Sequence, residues 1–265
     1  MSAELSLQDG DLDTSLKQLQ DLVRKEAANP KHRVFLFQLL AVLGTWERAL
    51  TQLNVAGDLS AANLAMVQTY REAIRCEILR QKVFAGETTP LIFGQPEQWL
   101  ANLLVAAKLS AEGQHKDASE LRSQAFNDAP ATSGTINGEA FDWIADADSR
   151  LGPVLEAVVN GRYYWIPFCR IAKLTLEAPT DLRDLVWMPA QLTWSNGGGS
   201  VGLIPTRYAG SETCTDSALR LARKTEWIEF ADQQFYGLGQ RILVTNAGDY
   251  PLCEIREILL NTEAE

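Results

Sequence analysis

The chain has 265 residues, 46% of them hydrophobic, and 24 Lys and Arg against 34 Asp and Glu give a net charge of −10. That length exceeds what one simple core requires, so two domains are expected, and the negative field argues against nucleic acid or an anionic membrane surface as a partner. No apolar run reaches 18 residues and Met1-Ser-Ala-Glu-Leu lacks the basic-then-apolar layout of a signal peptide, so no membrane insertion and a cytoplasmic location are expected.

The first half reads as helices. Leu12, Leu16, Leu19, Leu22 and Val23 recur at helical spacing over 11–28, and Asn29-Pro30 ends that helix. A second helix is expected over 33–43 and a third from Trp46. Asn54 to Asp58 reads as a loop with Ser60 as a helix N-cap. A long helix then runs to about Ala85, with Val67, Tyr70, Ile74 and Ile78 on one face. Gly86 to Pro96 is a Thr-, Pro- and Gly-rich loop, followed by helices over 97–111 and 115–127.

An internal repeat runs through this region. Gly10, Gly44 and Gly113 are each followed five residues later by a small residue (Ser15, Ala49, Ala118). The first two glycines lie 34 residues apart and the third 69 further on. A period of about 34 is that of tetratricopeptide (TPR) repeats, in which a glycine ends one helix and a small residue lets the next approach closely. The expectation is a degenerate TPR-like array over 1–128. Its groove would hold a peptide or helix, or be filled by the chain's own second half, as in a self-packed scaffold.

Asn127 to Gly138 has linker composition. Beyond it, strands are expected over 162–177, 184–194, 200–208, 225–230 and 240–246, with the last two paired to each other. A strand or short helix should follow over 252–260, and one helical turn lies near 219–223. Ser195-Asn-Gly-Gly-Gly is a hairpin turn, and Gly237-Leu-Gly239 a bulge or tight bend. The fold class is therefore α+β: a helical repeat region over 1–128, then a mainly antiparallel β domain over 129–265, either a curled sheet or a small barrel.

Candidate chemistry is sparse. Cys76, Cys169, Cys214 and Cys253 show neither zinc nor disulfide spacing, and His32 and His115 both fall in the helical half. Neither glycine cluster has the Lys-Ser/Thr or the βα context of a phosphate loop. Asp146 and Asp148, near Asp142, could form the paired acids of a hydrolase, but Asp148 beside Arg150 reads more simply as a local ion pair fixing a turn. In 162–165, alternation places Tyr163 and Trp165 on one sheet face and Tyr164 on the other. Trp143 and Trp165 are expected to pack at the junction between the two halves.

A series of motifs carries a resemblance. Trp143-Ile-Ala-Asp146-Ala-Asp148-Ser-Arg150-Leu-Gly-Pro and Asn160-Gly-Arg-Tyr163-Tyr164-Trp165 open it. Asp181-Leu-Arg183-Asp184-Leu-Val-Trp187, Asn196-Gly-Gly, Leu203-Ile-Pro-Thr-Arg207-Tyr208 and Gly237-Leu-Gly-Gln-Arg241 continue it. Together they resemble the ImpE (TagJ) family. The resemblance implies a non-enzymatic accessory protein of bacterial type VI secretion, without a cofactor, that binds the small contractile-sheath subunit through that subunit's N-terminal helix. It also implies an influence on how the sheath meets the ClpV ATPase. It supplies no catalytic motif, so the matching residues stand as a family signature and a candidate partner surface.

Overall fold

A computed structural model describes residues 3–95, 97–231 and 234–262. Helices come first: α1 (Ala3–Gln8), α2 (Leu12–Lys25), α3 (Pro30–Val42), α4 (Trp46–Leu59), α5 (Leu64–Phe84), α6 (Gln98–Ala111) and α7 (His115–Asp128). The two-residue strand β1 (Leu91–Ile92) lies between α5 and α6. Strands follow: β2 (Gly134–Ile136), β3 (Glu139–Phe141), β4 (Ile144–Asp146), β5 (Val154–Val159), β6 (Arg162–Pro167), β7 (Ile171–Leu176), β8 (Trp187–Trp194) and β9 (Gly199–Pro205). The short α8 (Ser217–Arg220) precedes β10 (Thr225–Ala231), β11 (Gln234–Gly239), β12 (Ile242–Thr245), β13 (Asp249–Pro251) and β14 (Glu257–Leu260). No helix among the described residues is long and apolar enough to cross a membrane.

The three glycines of the sequence pattern end α1, α3 and α6 in one geometry. Gly10, Gly44 and Gly113 have φ of 80°, 66° and 79°. Each is followed by a residue whose N–H reaches back to close a Schellman turn: Asp11 to the Ser6 carbonyl (2.8 Å), Thr45 to Leu40 (3.0 Å) and Gln114 to Leu109 (2.9 Å). Ser15, Ala49 and Ala118 are fully buried where the paired helices meet. Between α4 and α5 the structure differs from expectation. Asn54 to Asp58 is helix, because Leu53 and Ala56 continue the buried stripe begun by Ala49. Ser60 makes no side-chain cap.

The strand-rich half builds a nine-stranded sheet in the order β1-β6-β5-β9-β8-β7-β14-β2-β3, antiparallel except where β1 runs alongside β6. It does not close into a barrel. Helices cover one face, and a three-stranded sheet (β13-β12-β4) contributes to the core on the other. The helix-facing core joins Phe37, Leu40, Trp46 and Tyr70 to Val158, Tyr163, Trp165, Trp187 and Leu203. The opposite core gathers Leu155, Ile166, Met188, Leu192 and Ile204 with Ile144, Leu243 and Leu252.

Four strand expectations change. The 162–177 stretch is two strands, because Pro167 ends β6 and a 3-10 turn over Phe168–Arg170 turns the chain. Asp184 is not in a strand: its carboxylate accepts the N–H of Asp181 in a capping box that fixes the 3-10 turn Leu182–Leu185. The linker is shorter than its composition suggests, since Gly134–Ile136 pairs with β3 and β14 and buries Ile136 completely. Gly134 is required there, because a Cβ would lie 2.0 Å from the Leu259 carbonyl oxygen. Finally, β10 pairs with β11, not with 240–246. Gly239, at φ 88°, ends β11 and the chain turns away, so β12 pairs with β4 and β13.

Candidate functional site

The site begins with one misplaced charge. β5 reads Val-Leu-Glu-Ala-Val-Val, and all six residues are buried. Alternation puts Val154, Glu156 and Val158 on the helix-facing side, so Glu156 is carried into the core between the two halves. A carboxylate there requires cations and hydrogen bonds. Arg80 supplies two, from Nε (2.7 Å) and Nη2 (2.9 Å). Arg241 Nη2 and the Tyr163 hydroxyl supply two more. Trp165 Nε1 donates to the Tyr163 oxygen at 2.8 Å, so the signature pair Tyr163 and Trp165 orients the same carboxylate.

The cluster extends in both directions. Arg241 Nη1 binds Asp146, and Arg241 Nε donates to the Pro205 carbonyl (2.9 Å). Asp146 also accepts the N–H of Asp148. Asp148 takes the backbone N–H and guanidinium of Arg150 and the N–H of Gly237. The Arg150 guanidinium lies 4.6 Å from each of the Phe84 and Tyr236 rings. Toward the helices, Arg80 also binds the Arg207 carbonyl (2.9 Å) and Glu77, whose carboxylate accepts from Trp187 Nε1 at 3.1 Å. Arg207 donates to the Val42 and Ala41 carbonyls (2.8 and 3.3 Å), placing a cation at the C-terminus of α3. The Tyr208 hydroxyl bridges both backbone groups of Ile242.

Burial sets the titration of these groups. It would raise Glu156, but Arg80 and Arg241 pull it far below the usual carboxylate range. Burial lifts Asp146 to about 6, although Arg241 opposes the shift. Glu77 is raised by burial and only partly restored by Arg80. Burial lowers Arg207 to about 10, so it remains a cation at neutral pH.

The signature residues therefore separate into groups. Asp146, Asp148, Arg150, Tyr163, Trp165, Trp187, Arg207 and Arg241 belong to one bonded cluster between helices and sheet, with Tyr208 beneath Arg241. Trp143 stands apart and is 40% exposed, not packed at the junction. Its neighbour Asp142 exchanges hydrogen bonds with Asn246, and the chain turns inward only at Ile144. Tyr164 packs on Phe93 on the opposite face. Arg183 lies over the Tyr70 ring (4.9 Å) and binds Asp181. The Asp146 and Asp148 side chains are both 0% exposed and engaged by arginines, which leaves no opening for a substrate between them. Among the described residues no group of three or more acids, His or Cys is arranged to hold a metal ion.

Glu156, Arg80 and Glu77 are the members that reading the sequence missed. Their signal was present. Glu156 is a lone acid in an apolar strand, and Glu77 and Arg80 continue the helical face of Tyr70 and Ile74. Ile78, expected on that face, is 38% exposed because the face turns toward Glu156 and Trp187.

Comparison with known proteins places this arrangement. The family described as "ImpE protein" matches residues 138–259. A curated relative from Pseudomonas aeruginosa, named "Type VI secretion system accessory component TagJ", is 54% identical over 97% of this chain and 90% of its own length. The chain belongs to the ImpE (TagJ) family. Protein VPA1032 from Vibrio parahaemolyticus, solved by X-ray crystallography, shares the fold with a TM-score of 0.90 over 98% of each chain at 24% identity. The segment matching the ImpE family holds Glu156, Arg241, Asp146 and Tyr163. Arg80 and Glu77, which complete the cluster, lie upstream of it.

Proposed function

We propose that this ImpE-family chain is a non-enzymatic, cytoplasmic accessory component of bacterial type VI secretion. In this reading it binds the N-terminal helix of the small contractile-sheath subunit and so influences how the sheath meets the ClpV ATPase. The observation that carries the proposal is the 54% identity, over nearly the whole chain, to a protein named as an accessory component of that system. The burial of Asp146 and Asp148 in arginine pairs supports a binding protein over a carboxylate hydrolase. The shared turn geometry of three helix hairpins supports a TPR-like array over 1–128, followed by an ImpE-type β domain over 129–265. With most signature residues buried, a partner surface would draw on the exposed Trp143 and the half-buried Tyr164 and Arg183. The test is a binding titration against the small sheath subunit, intact and lacking its N-terminal helix. Binding only to the intact subunit is expected. Equal binding to both would overturn helix capture, and binding to neither would overturn the assignment.

A further inference from the structure

The hairpin β10–β11 belongs to neither the nine-stranded nor the three-stranded sheet and forms a two-stranded sheet of its own. One edge of it is held. Both backbone groups of Phe235 in β11 bond to Ser149, and the Gly237 N–H donates to the Asp148 carboxylate (3.1 Å). These groups point away from β10. Trp227, opposite Gly237, therefore forms a non-hydrogen-bonded pair with it and turns its own N–H and C=O toward the other edge. No strand among the described residues pairs with that edge. The residues from Glu226 to Phe230 are all exposed along it. The other edge strands are short: β1 has two residues, and β3, β4 and β13 have three each, with Pro251 in β13. β10 has seven and no proline, and Trp227, Ile228 and Phe230 on it are 41%, 42% and 43% exposed. A long apolar edge left open is a template for pairing with another strand.

The sequence of β10 fits a second copy of itself. Two identical antiparallel strands related by a two-fold axis set residue against residue on one shared face, so the axis passes through a single residue and its copy. An axis at Glu226 or Glu229 would press a carboxylate against its own copy. An axis at Trp227 pairs only 225–229, whereas an axis at Ile228 pairs the whole of Thr225–Ala231. The Ile228 axis sets Ile228 against its copy, and each Ile228 already lies beside Tyr236 of β11. An apolar row of Tyr236, Ile228, Ile228 and Tyr236 then crosses both hairpins. The same register sets Trp227 against Glu229 and Glu226 against Phe230, so no carboxylate directly faces another. The Phe230 ring lies against His115 (5.6 Å) at the start of α7. Glu226 of one copy is thereby brought toward His115, Lys116 and the N-terminus of that helix in the other, where a carboxylate is favoured.

We propose that β10 is a homodimer interface: two copies of this chain join their β10 strands antiparallel about a two-fold axis at Ile228, making one four-stranded sheet. The interface does not depend on capture of a sheath helix. The test is sedimentation equilibrium of the full-length protein over about 1–500 µM, the span of weak to moderate association. Ile228→Lys sets two cations against each other at the axis. Val105→Lys adds the same charge at an exposed apolar position of α6. The expected result is a monomer–dimer equilibrium in the wild type, weakened about tenfold or more by Ile228→Lys and unchanged by Val105→Lys, with wild-type circular dichroism for both variants. Ile228→Cys tests the register, because the two copies of residue 228 would form a non-hydrogen-bonded pair, close enough for a disulfide. With oxidised glutathione as the electron acceptor, this variant should run as a covalent dimer on non-reducing gels, under conditions in which the wild type, with its four free cysteines, does not. A wild type that is monomeric over the whole range overturns the proposal. So does a dimer that Ile228→Lys leaves intact, or one that Val105→Lys weakens equally. A dimer in which Ile228→Cys fails to cross-link overturns the axis at Ile228.

Discussion

Glu156→Gln is the sharpest test of the buried cluster. The substitution keeps the volume of the side chain but removes the one charge that faces both Arg80 and Arg241, and it turns one of two accepting oxygens into an amide donor facing a guanidinium. Glu156 is 0% exposed, and the side chains of Arg80 and Arg241 are 4% and 0% exposed, so solvent cannot replace the lost charge. Breaking one partner of a buried ion pair costs about 3–5 kcal/mol because the other charge is left uncompensated. Both arginines lose the charge they share, while Arg80 keeps Glu77 and Arg241 keeps Asp146, so about 4 kcal/mol is the expected loss, against a typical total stability of about 5–15 kcal/mol. At about 2–4 °C per kcal/mol for a chain of this size, Tm falls by about 8–16 °C. Urea unfolding at pH 7, followed by tryptophan fluorescence and far-UV circular dichroism, measures it. The double variant Arg80→Met, Glu156→Leu removes the charge with its principal partner and should recover part of the loss, since apolar replacement of a buried pair is often neutral. A Glu156→Gln loss below about 1 kcal/mol, or a double variant worse than the single, would refute the reasoning that uncompensated charge is what the cluster avoids.

Further outcomes follow from the same geometry. Asp146 should reveal itself by pH. Its native pKa, about 6 against an ordinary 3.8, means the folded state holds a proton that the unfolded chain has released between those values. Its contribution to stability therefore falls as pH rises through that window, and on going from pH 7 to pH 4 the wild type should gain about 2 kcal/mol relative to Asp146→Asn. Urea titrations at the two pH values check this, and a constant difference would mean that Asp146 titrates normally. Trp165→Ala should cost about 3–5 kcal/mol, since the ring is fully buried and its N–H holds Tyr163, whereas Trp143→Ala should cost less than about 1 kcal/mol. Equal losses by thermal melting would contradict the two placements. Gly239→Ala should destabilise by more than about 2 kcal/mol, because the residue has φ 88° and a Cβ would meet the Lys224 carbonyl oxygen at 2.1 Å. A soluble variant with unchanged Tm would argue against that turn.

Much of the helical half was legible because its signals are local. Apolar spacing and the glycines at 10, 44 and 113 act within a turn or two of where they stand, and the structure ends a helix at each glycine; Asn29-Pro30, expected as a stop, instead starts α3, with Asn29 as its N-cap and Pro30 as its first residue, while α2 already ends at Lys25. The Asp148–Arg150 pair was legible for the same reason, two residues apart. The family was legible in the motif series, although the series did not reveal what its residues do. That required long-range contact. Glu156 meets Arg80 from 76 residues upstream and Arg241 from 85 downstream, and no local pattern names those partners. The strand pairings depended on the same distances: 240–246 looked able to join 225–230, yet the bend at Gly239 sends β12 to β4, about a hundred residues earlier in the chain. Whether the sheet closed was likewise undecided by alternation, which marks two faces without saying what covers them. Helices took one face and a second small sheet lies against the other, so the edges had no reason to meet. Short-range chemistry wrote the elements into the sequence. Which buried charges would have to find one another, and which strand edge would stay uncovered, became fixed only when those elements packed.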